Sequence, residues 1–191
     1  MANTFEIDLK QAISSNKQYQ AQVKELVQEQ FEKMKDQLLE NFDDHPVTKE
    51  ISNPNSSNIS DTLGGYGNLY GFIGLEENNP ALPVKEVLSQ KTEIKSISIK
   101  DNQMTLKFSV PELEDFDSAA ALEWDTKNWV KGIEKGISGF QSFMAKKAGR
   151  SGKGIQIKGQ VKPFVGGASI FKNTKYMTDL INKFKSSLNN I

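Results

Sequence analysis

One long stripe of apolar side chains constrains this chain more than any other feature of its sequence. Over residues 15–44, apolar side chains recur at intervals of three and four, which places them on one face of a helix. The stripe consists of Val23, Leu26, Val27, Phe31, Met34, Leu38 and Phe42. The pattern predicts a long amphipathic helix whose stripe covers a core or, alternatively, a partner. Pro46 ends this helix, because the residue before a proline is disfavoured in the helical conformation.

The closing segment predicts a second amphipathic helix over residues 173–189. Asn173 or Thr174 would cap its first turn through a side-chain oxygen. Its stripe consists of Tyr176, Met177, Leu180, Ile181, Phe184 and Leu188. One apolar face on each terminal helix indicates that both pack on a shared core.

An antiparallel hairpin is predicted between the two helices. Ile94, Ile97 and Ile99 lead into a short polar turn, after which apolar and polar residues alternate over 104–110. A short helix is expected over 84–90, and the sequence over 124–140 fits either a helix or a strand. We therefore predict a single α+β domain over residues 1–191. The long N-terminal helix and the C-terminal helix would pack on a small antiparallel β-sheet, with long flexible loops.

A polar stretch and a glycine-rich stretch follow the first helix. Residues 52–62 predict an exposed, mobile loop. Residues 63–75 interleave five glycines with apolar and aromatic side chains. This pattern fits a bent strand, or equally a surface that becomes ordered against a neighbouring subunit. In the second case the subunit-interface candidates are Leu63, Tyr66, Leu69, Tyr70 and Phe72.

The residues on which catalysis and metal binding usually depend are scarce. The sequence has no cysteine and one histidine, His45, which precedes Pro46 and is interpreted as structural. The clustered carboxylates of residues 112–117 lie in a polar stretch, where solvation opposes the pKa shifts that a catalytic pair requires. The sequence therefore predicts that the protein is not an enzyme and that it has no catalytic residue, no cofactor and no metal site.

Charge is segregated along a chain whose net charge is +0. No acidic residue lies between Lys135 and Thr178. A basic, glycine-rich loop over about 146–160 supplies the contact candidates, which are Lys146, Lys147, Arg150, Lys153 and Lys158. This loop would contact a phosphate backbone without sequence preference, or an acidic face of the next subunit head to tail. An ordinary solvated surface is the third interpretation.

The N-terminal residues and the hydropathy pattern predict a protein that is neither secreted nor inserted in a membrane. Glu6 and Asp8 interrupt the apolar residues of the first ten positions, unlike a signal peptide. No window approaches the roughly 20 apolar residues of a membrane helix. We expect no membrane partner.

Several short motifs resemble the neck and tail-completion proteins of tailed bacteriophages. They are the His-Pro-Val-Thr sequence at 45–48, the glycine-rich sequence at 57–75, residues 128–140, residues 150–158 and the closing helix with Tyr176. The likeness spans most of the chain. The loop before the glycine-rich segment is longer than in that family, and residues 84–90 and 129–140 have no clear counterpart.

The resemblance implies a structural subunit of the virion, assembled in the host cytoplasm. Copies of the chain would form a ring at the head–tail junction and join the tail to the capsid connector. The implied partners are further copies of the chain, other virion proteins of the connector and tail, and DNA in a channel, contacted without sequence specificity. The alternative from the charge pattern is a cytoplasmic nucleic-acid-binding module that uses the basic region 146–175.

Overall fold

The structure is a computed structural model, and it contains a small antiparallel sheet that packs against two amphipathic helices. It describes residues 3–8, 16–52, 69–73, 75, 79–100, 102–122, 125–135 and 175–188. The elements are β1 (Asn3–Asp8), α1 (Lys17–Asp44), α2 (Pro46–Ser52), α3 (Leu69–Ile73), α4 (Ala81–Lys91), β2 (Glu93–Lys100), β3 (Gln103–Ser109), a 3-10 turn (Leu113–Phe116), β4 (Ala121–Leu122), β5 (Asp125–Asn128), α5 (Trp129–Lys135) and α6 (Tyr176–Leu188). The predicted α+β class is confirmed.

The long helix α1 begins and ends close to the predicted positions. The Asn16 side chain accepts a hydrogen bond from the Gln18 N–H at 2.9 Å and so caps the first turn. Most of the stripe is buried or partly buried, but Leu26 is 56% exposed, which corrects its assignment to the core-facing stripe. Consecutive residues lie about 100° apart around a helix, which turns Leu26 away from the side that carries the buried Val27, Phe31 and Leu38.

Pro46 stops one helix and starts the next. α1 ends at Asp44, and His45 takes an extended conformation with φ −63° and ψ 135°. Pro46 then opens α2, which was not predicted and which buries Val47, Thr48 and Ile51. Proline suits this place because its fixed φ and missing N–H cost nothing at the first helical position.

The predicted hairpin forms, and a strand from the N-terminus extends it. β3 lies in the centre of a three-stranded antiparallel sheet, with β1 on one side and β2 on the other. Asn102, in the turn, has a φ of 64°. β1 was not predicted, although Thr4 and Glu6 alternate there with Phe5 and Ile7. Its partner strand lies about one hundred residues away in the sequence, which a local pattern does not reveal.

The glycine-rich segment contains a short helix in the part of it that the structure describes. α3 buries Leu69 and Ile73, which are four residues apart on one face. The bent strand is therefore wrong at residues 69–73. The ambiguous stretch 124–140 divides into β5 and then α5, which buries Trp129, Val130 and Ile133.

The two terminal helices meet over the sheet in one core. All six residues of the α6 stripe are buried, as predicted. The Phe31 ring lies 5.5 Å from that of Phe184 and 6.1 Å from that of Phe108, which joins α1, α6 and β3. Near the other end of α6, the Tyr176 ring stacks on Phe42 at 5.9 Å. The sequence order of these contacts shows that α6 runs antiparallel to α1.

Candidate functional site

The predicted subunit-interface residues divide between the core and the undescribed part of the chain. Leu69 is 0% exposed, so it is a core residue that a neighbouring subunit does not reach, and its assignment to an interface is corrected. Tyr70 is half-buried in α3. Leu63, Tyr66 and the side chain of Phe72 lie outside the described residues.

The five basic contact candidates also lie outside the described residues, as does the predicted loop at 146–160. They are Lys146, Lys147, Arg150, Lys153 and Lys158. The structure does describe the two flanking positions from which this part of the chain departs and to which it returns. Of the predicted loop at 52–62 the structure describes Ser52 alone, which is the last residue of α2.

A pair of hydrogen bonds joins those two flanks. Glu134, in α5, accepts the Thr178 N–H at 2.7 Å with Oε1 and the Thr178 hydroxyl at 3.0 Å with Oε2. Thr178 lies in the first turn of α6, where backbone N–H groups lack partners within the helix. Glu134 is therefore a cap supplied by another helix. We call this pair the stem, and residues 136–174 between its two sides the basic segment.

The carboxylates of residues 112–117 are partnered by protein groups. Asp115 accepts the Glu112 N–H at 2.9 Å in a capping box, and this hydrogen bond lowers the pKa of the Asp115 carboxyl. Lys91 lies 3.3 Å from Asp115. Lys131 lies 2.6 Å from Asp117, whose carboxylate raises the pKa of the Lys131 amine. These contacts fix the turn after β3 against α4 and α5.

His45 lies at the joint between α1 and α2. Its Nδ1 accepts the Val47 N–H at 3.2 Å, and its carbonyl accepts the Lys49 N–H at 3.0 Å, so His45 is the N-cap of α2. Its ring lies 4.6 Å from that of Tyr176. Burial lowers the pKa of the His45 imidazole; nearby Lys183 lowers it further, and Asp179 opposes that shift. The structural interpretation of this histidine agrees with its contacts.

One feature that the sequence analysis did not single out is an acidic face along α1. Its residues follow one another at spacings of four, three, four, four and three, so they share one side of the helix. They are Glu25, Glu29, Glu32, Asp36, Glu40 and Asp43, all of them exposed. Glu29 pairs with Lys33 at 2.8 Å and Asp43 with Lys85. The other four have no ion pair within the described ranges. Helical spacing shows from the sequence that these carboxylates share one side of α1, and the structure adds that the core leaves this side exposed.

The described part of the chain holds no group of three histidine or acidic side chains placed to bind a metal ion. Among the helices in the same ranges, none combines the length and the apolar character of a membrane-spanning segment.

Comparison with known proteins gives no match: no family model, curated protein or solved structure matches the chain. The function is therefore inferred from charge, burial and the order of elements.

Proposed function

We propose that the chain is a non-enzymatic structural subunit of a tailed-phage virion, which forms a ring at the head–tail junction and joins the tail to the capsid connector. The observation that carries the proposal is the stem. Glu134 and Thr178 hold both ends of the basic segment at one point of the folded body. Each subunit therefore presents its acid-free segment from a single fixed position.

A ring would bring the basic segments of all its subunits together. Subunits related by rotation place their stems at equal radius, so their basic segments lie at one level of the ring. The cations of one segment are Lys146, Lys147, Arg150, Lys153, Lys158, Lys162 and Lys172. A circle of such segments suits passing DNA, because lysine and arginine bind phosphates without reading sequence.

The order of elements supports the same proposal. The resemblance implies a long first helix, a small antiparallel sheet and a closing helix. This chain has α1, the β2–β3 hairpin and α6 in that order, and the additional strand β1 precedes α1. The His-Pro-Val-Thr motif of the resemblance lies at the joint between α1 and α2, with His45 as the cap.

Quantitative mass spectrometry of purified, nuclease-treated virus particles from the source tests the proposal first. The expected result is a low copy number that matches one ring per particle. A copy number on the scale of the capsid or tail tube contradicts a junction role, and absence of the chain contradicts a virion role.

Replacement of Lys146, Lys147, Arg150 and Lys153 by serine tests the role of the basic segment. Particles made with this variant are expected to fail in tail joining or DNA retention, while the purified chain keeps its cooperative unfolding. A control replaces the exposed Lys17, Lys100 and Lys107 by serine. Full infectivity of the first variant would rule out this role for the segment.

The charge segregation also favours a second candidate, a cytoplasmic nucleic-acid-binding module that uses residues 146–175. The two candidates differ in what the isolated chain does. A module of this kind binds DNA as a monomer, and the logarithm of its affinity falls linearly with the logarithm of salt concentration. A ring subunit binds DNA weakly until it assembles, because each copy contributes only a few phosphate contacts.

A further inference from the structure

The N-terminal part of α1 extends beyond the core of its own chain. Between Lys17 and Leu26 no residue of the helix is buried, and burial begins at Val27. Tyr19 is 52% exposed and Leu26 is 56% exposed. These two side chains lie seven residues apart, or two turns, so they share one side of the helix.

The acidic face runs alongside these apolar residues. Glu25, Glu32 and Asp36 are exposed, and none of them has an ion pair within the described ranges. An uncovered helix surface that combines exposed apolar side chains with unpaired carboxylates is suited to a basic partner with some apolar character.

The stem lies at the opposite end of α1 from Tyr19. Tyr176, at the start of α6, contacts Phe42 and His45 near the C-terminus of α1, with ring centres 5.9 Å and 4.6 Å apart. From Phe42 back to Tyr19 the helix rises by about 35 Å at roughly 1.5 Å per residue. The basic segment therefore departs from one end of the molecule, and the exposed Tyr19 and Leu26 lie toward the other.

We propose that the outward face of α1 from Tyr19 to Asp36 docks the basic segment of a second copy of the chain. This part of the face consists of Tyr19, Glu25, Leu26, Glu32 and Asp36. The charge pattern identifies this occupant. The chain has a net charge of +0, and residues 136–174 contain basic residues but no acidic one, so a second copy offers a basic segment to the acidic helix. Complementary surfaces toward opposite ends of one subunit give a head-to-tail contact, which closes into a ring when the rotation between neighbours permits. The inference deepens the proposed function and rests on it for the idea of a ring. Lys146, Lys147 and Arg150 then face the neighbouring copy, and Lys158, Lys162 and Lys172 remain for DNA.

Sedimentation velocity of the purified full-length chain at two salt concentrations is the first measurement. Association is expected at about 0.05 M salt and is expected to weaken by roughly tenfold or more near 0.5 M, because mobile ions screen exposed charges. A chain that stays monomeric at tens of micromolar in low salt would overturn the proposal.

Charge reversal on each side of the contact identifies the surfaces. One variant carries Glu25→Lys, Glu32→Lys and Asp36→Lys, and the other carries Lys146→Glu, Lys147→Glu and Arg150→Glu. Each variant alone is expected to associate more weakly than the wild type by on the order of tenfold or more, because like charges then face each other. Glu86→Lys, on the exposed side of α4, is the control and is expected to associate like the wild type.

Mixing the two reversed variants tests whether the acidic face and the basic segment are partners of each other. In the mixture the basic segment of the first variant meets the acidic helix of the second, and the reversed segment of the second meets the reversed helix of the first. Association is therefore expected to return. Failure of the mixture to associate, while both variants keep wild-type circular dichroism, would overturn docking on a second copy.

Tyr19→Ser with Leu26→Ser tests the apolar part of the face without changing its charge. Weaker association that still depends on salt is the expected result, and unchanged association would remove these residues from the contact. The outcomes are independent of the virion test. A chain that is absent from particles yet assembles head to tail retains this inference and loses the proposed function.

Discussion

Four parts of the chain meet at the side chain of Tyr176. Its ring lies near those of Phe42 and His45 and is 6.5 Å from that of Trp129, while its hydroxyl hydrogen-bonds the hydroxyl of Thr48. Burial raises the pKa of the Tyr176 hydroxyl, so it stays neutral and remains able to donate. One residue at the start of α6 thus connects α1, its joint with α2, α2 itself and α5.

The joint at His45 is expected to make stability depend on pH. Burial lowers the pKa of the folded imidazole below its ordinary value of 6.5, so the folded state binds fewer protons there than the unfolded state. The contribution of His45 is present above the unfolded pKa and is lost as pH falls. Because the chain has one histidine, the His45 imidazole resonance can be followed by NMR without ambiguity. The midpoint of its titration in the folded protein, which is the pKa, is expected below 6.5.

His45→Asn provides the matched comparison. Asparagine is a good N-cap and can accept the Val47 N–H, but it does not titrate in this range. Denaturant unfolding between about pH 7.5 and 5.5 should show a steeper loss of stability in the wild type than in this variant. An imidazole midpoint at or above 6.5 would contradict the assigned burial of the histidine.

The hydroxyl pair of Tyr176 and Thr48 is expected to behave as a unit. Tyr176→Phe leaves the Thr48 hydroxyl buried without its partner, which should cost about 1–3 kcal/mol of the free energy of unfolding. Thr48→Val should cost a similar amount for the converse reason. The double variant is expected to lose less than the sum of the two, because it leaves neither hydroxyl unpaired. Equilibrium unfolding of the wild type, the two single variants and the double variant forms a double-mutant cycle. Strictly additive losses in the free energy of unfolding would show that the two hydroxyls do not interact.

At the scale of elements, local patterns predicted helices well and long-range pairing poorly. All six apolar residues of α6 are buried because one stripe faces one core. β1 carries an alternating pattern of the same quality, yet only its pairing with β3 identifies it as a strand. Pro46 was interpreted as a stop alone, although the same ring geometry also suits a helix start. In the glycine-rich segment, the core contacts of Leu69 and Ile73 outweigh a composition that disfavours helix.

β2 contains an irregularity that its sequence requires. Ile94 and Ile97 are three residues apart, so in a regular strand they would face opposite sides. In the structure they pair with Phe108 and Leu106 on the core face, and the register shifts between Ile94 and Ser96. Lys95 is the additional residue, and this bulge brings both isoleucines to the core.

Deletion of Lys95 is therefore expected to be tolerated. Without it, Ile94, Ile97 and Ile99 alternate regularly with Ser96 and Ser98, and each isoleucine keeps its partner on β3. We expect a change in the free energy of unfolding within about 1 kcal/mol, since a surface lysine and a local distortion are lost together.

Deletion of Ser98 is the control for this experiment. It places Ile97 next to Ile99, so one of them turns to the outer face, and the expected loss is about 2 kcal/mol or more. Circular dichroism and denaturant unfolding measure both variants. Equal losses for the two deletions would contradict the assignment of the bulge.

At the scale of the whole molecule, the fold class was predictable and the site was not. Two amphipathic helices and a hairpin define an α+β core, because burial forces one apolar face per element. The stem required a contact between Glu134 and Thr178, which lie 44 residues apart in sequence. The acidic face depends on which side of α1 the core leaves exposed, and the misassigned Leu26 shows that a sequence stripe gives this orientation only approximately.

The stem makes a prediction about the chain as a whole. Because Glu134 and Thr178 join the two ends of the basic segment, a short linker is able to connect α5 to α6 without moving either helix. A glycine–serine linker of about eight residues spans up to roughly 25 Å, which exceeds this gap. Replacement of residues 136–174 by this linker should leave unfolding cooperative. The smaller loop should also raise the free energy of unfolding by about 1 kcal/mol, since loop-closure entropy falls with length.

A glycine–serine linker of the original length separates the effect of loop-closure entropy from the effect of the amino-acid sequence of residues 136–174. It is expected to unfold like the wild type if residues 136–174 add little to the core, and the short linker is then the more stable of the two. Glu134→Ala in the short-linker chain should cost about 1 kcal/mol, because the first turn of α6 loses its cap. Loss of cooperative unfolding with either linker would show that the basic segment supports the fold, and its charges would then have to be explained together with a structural role.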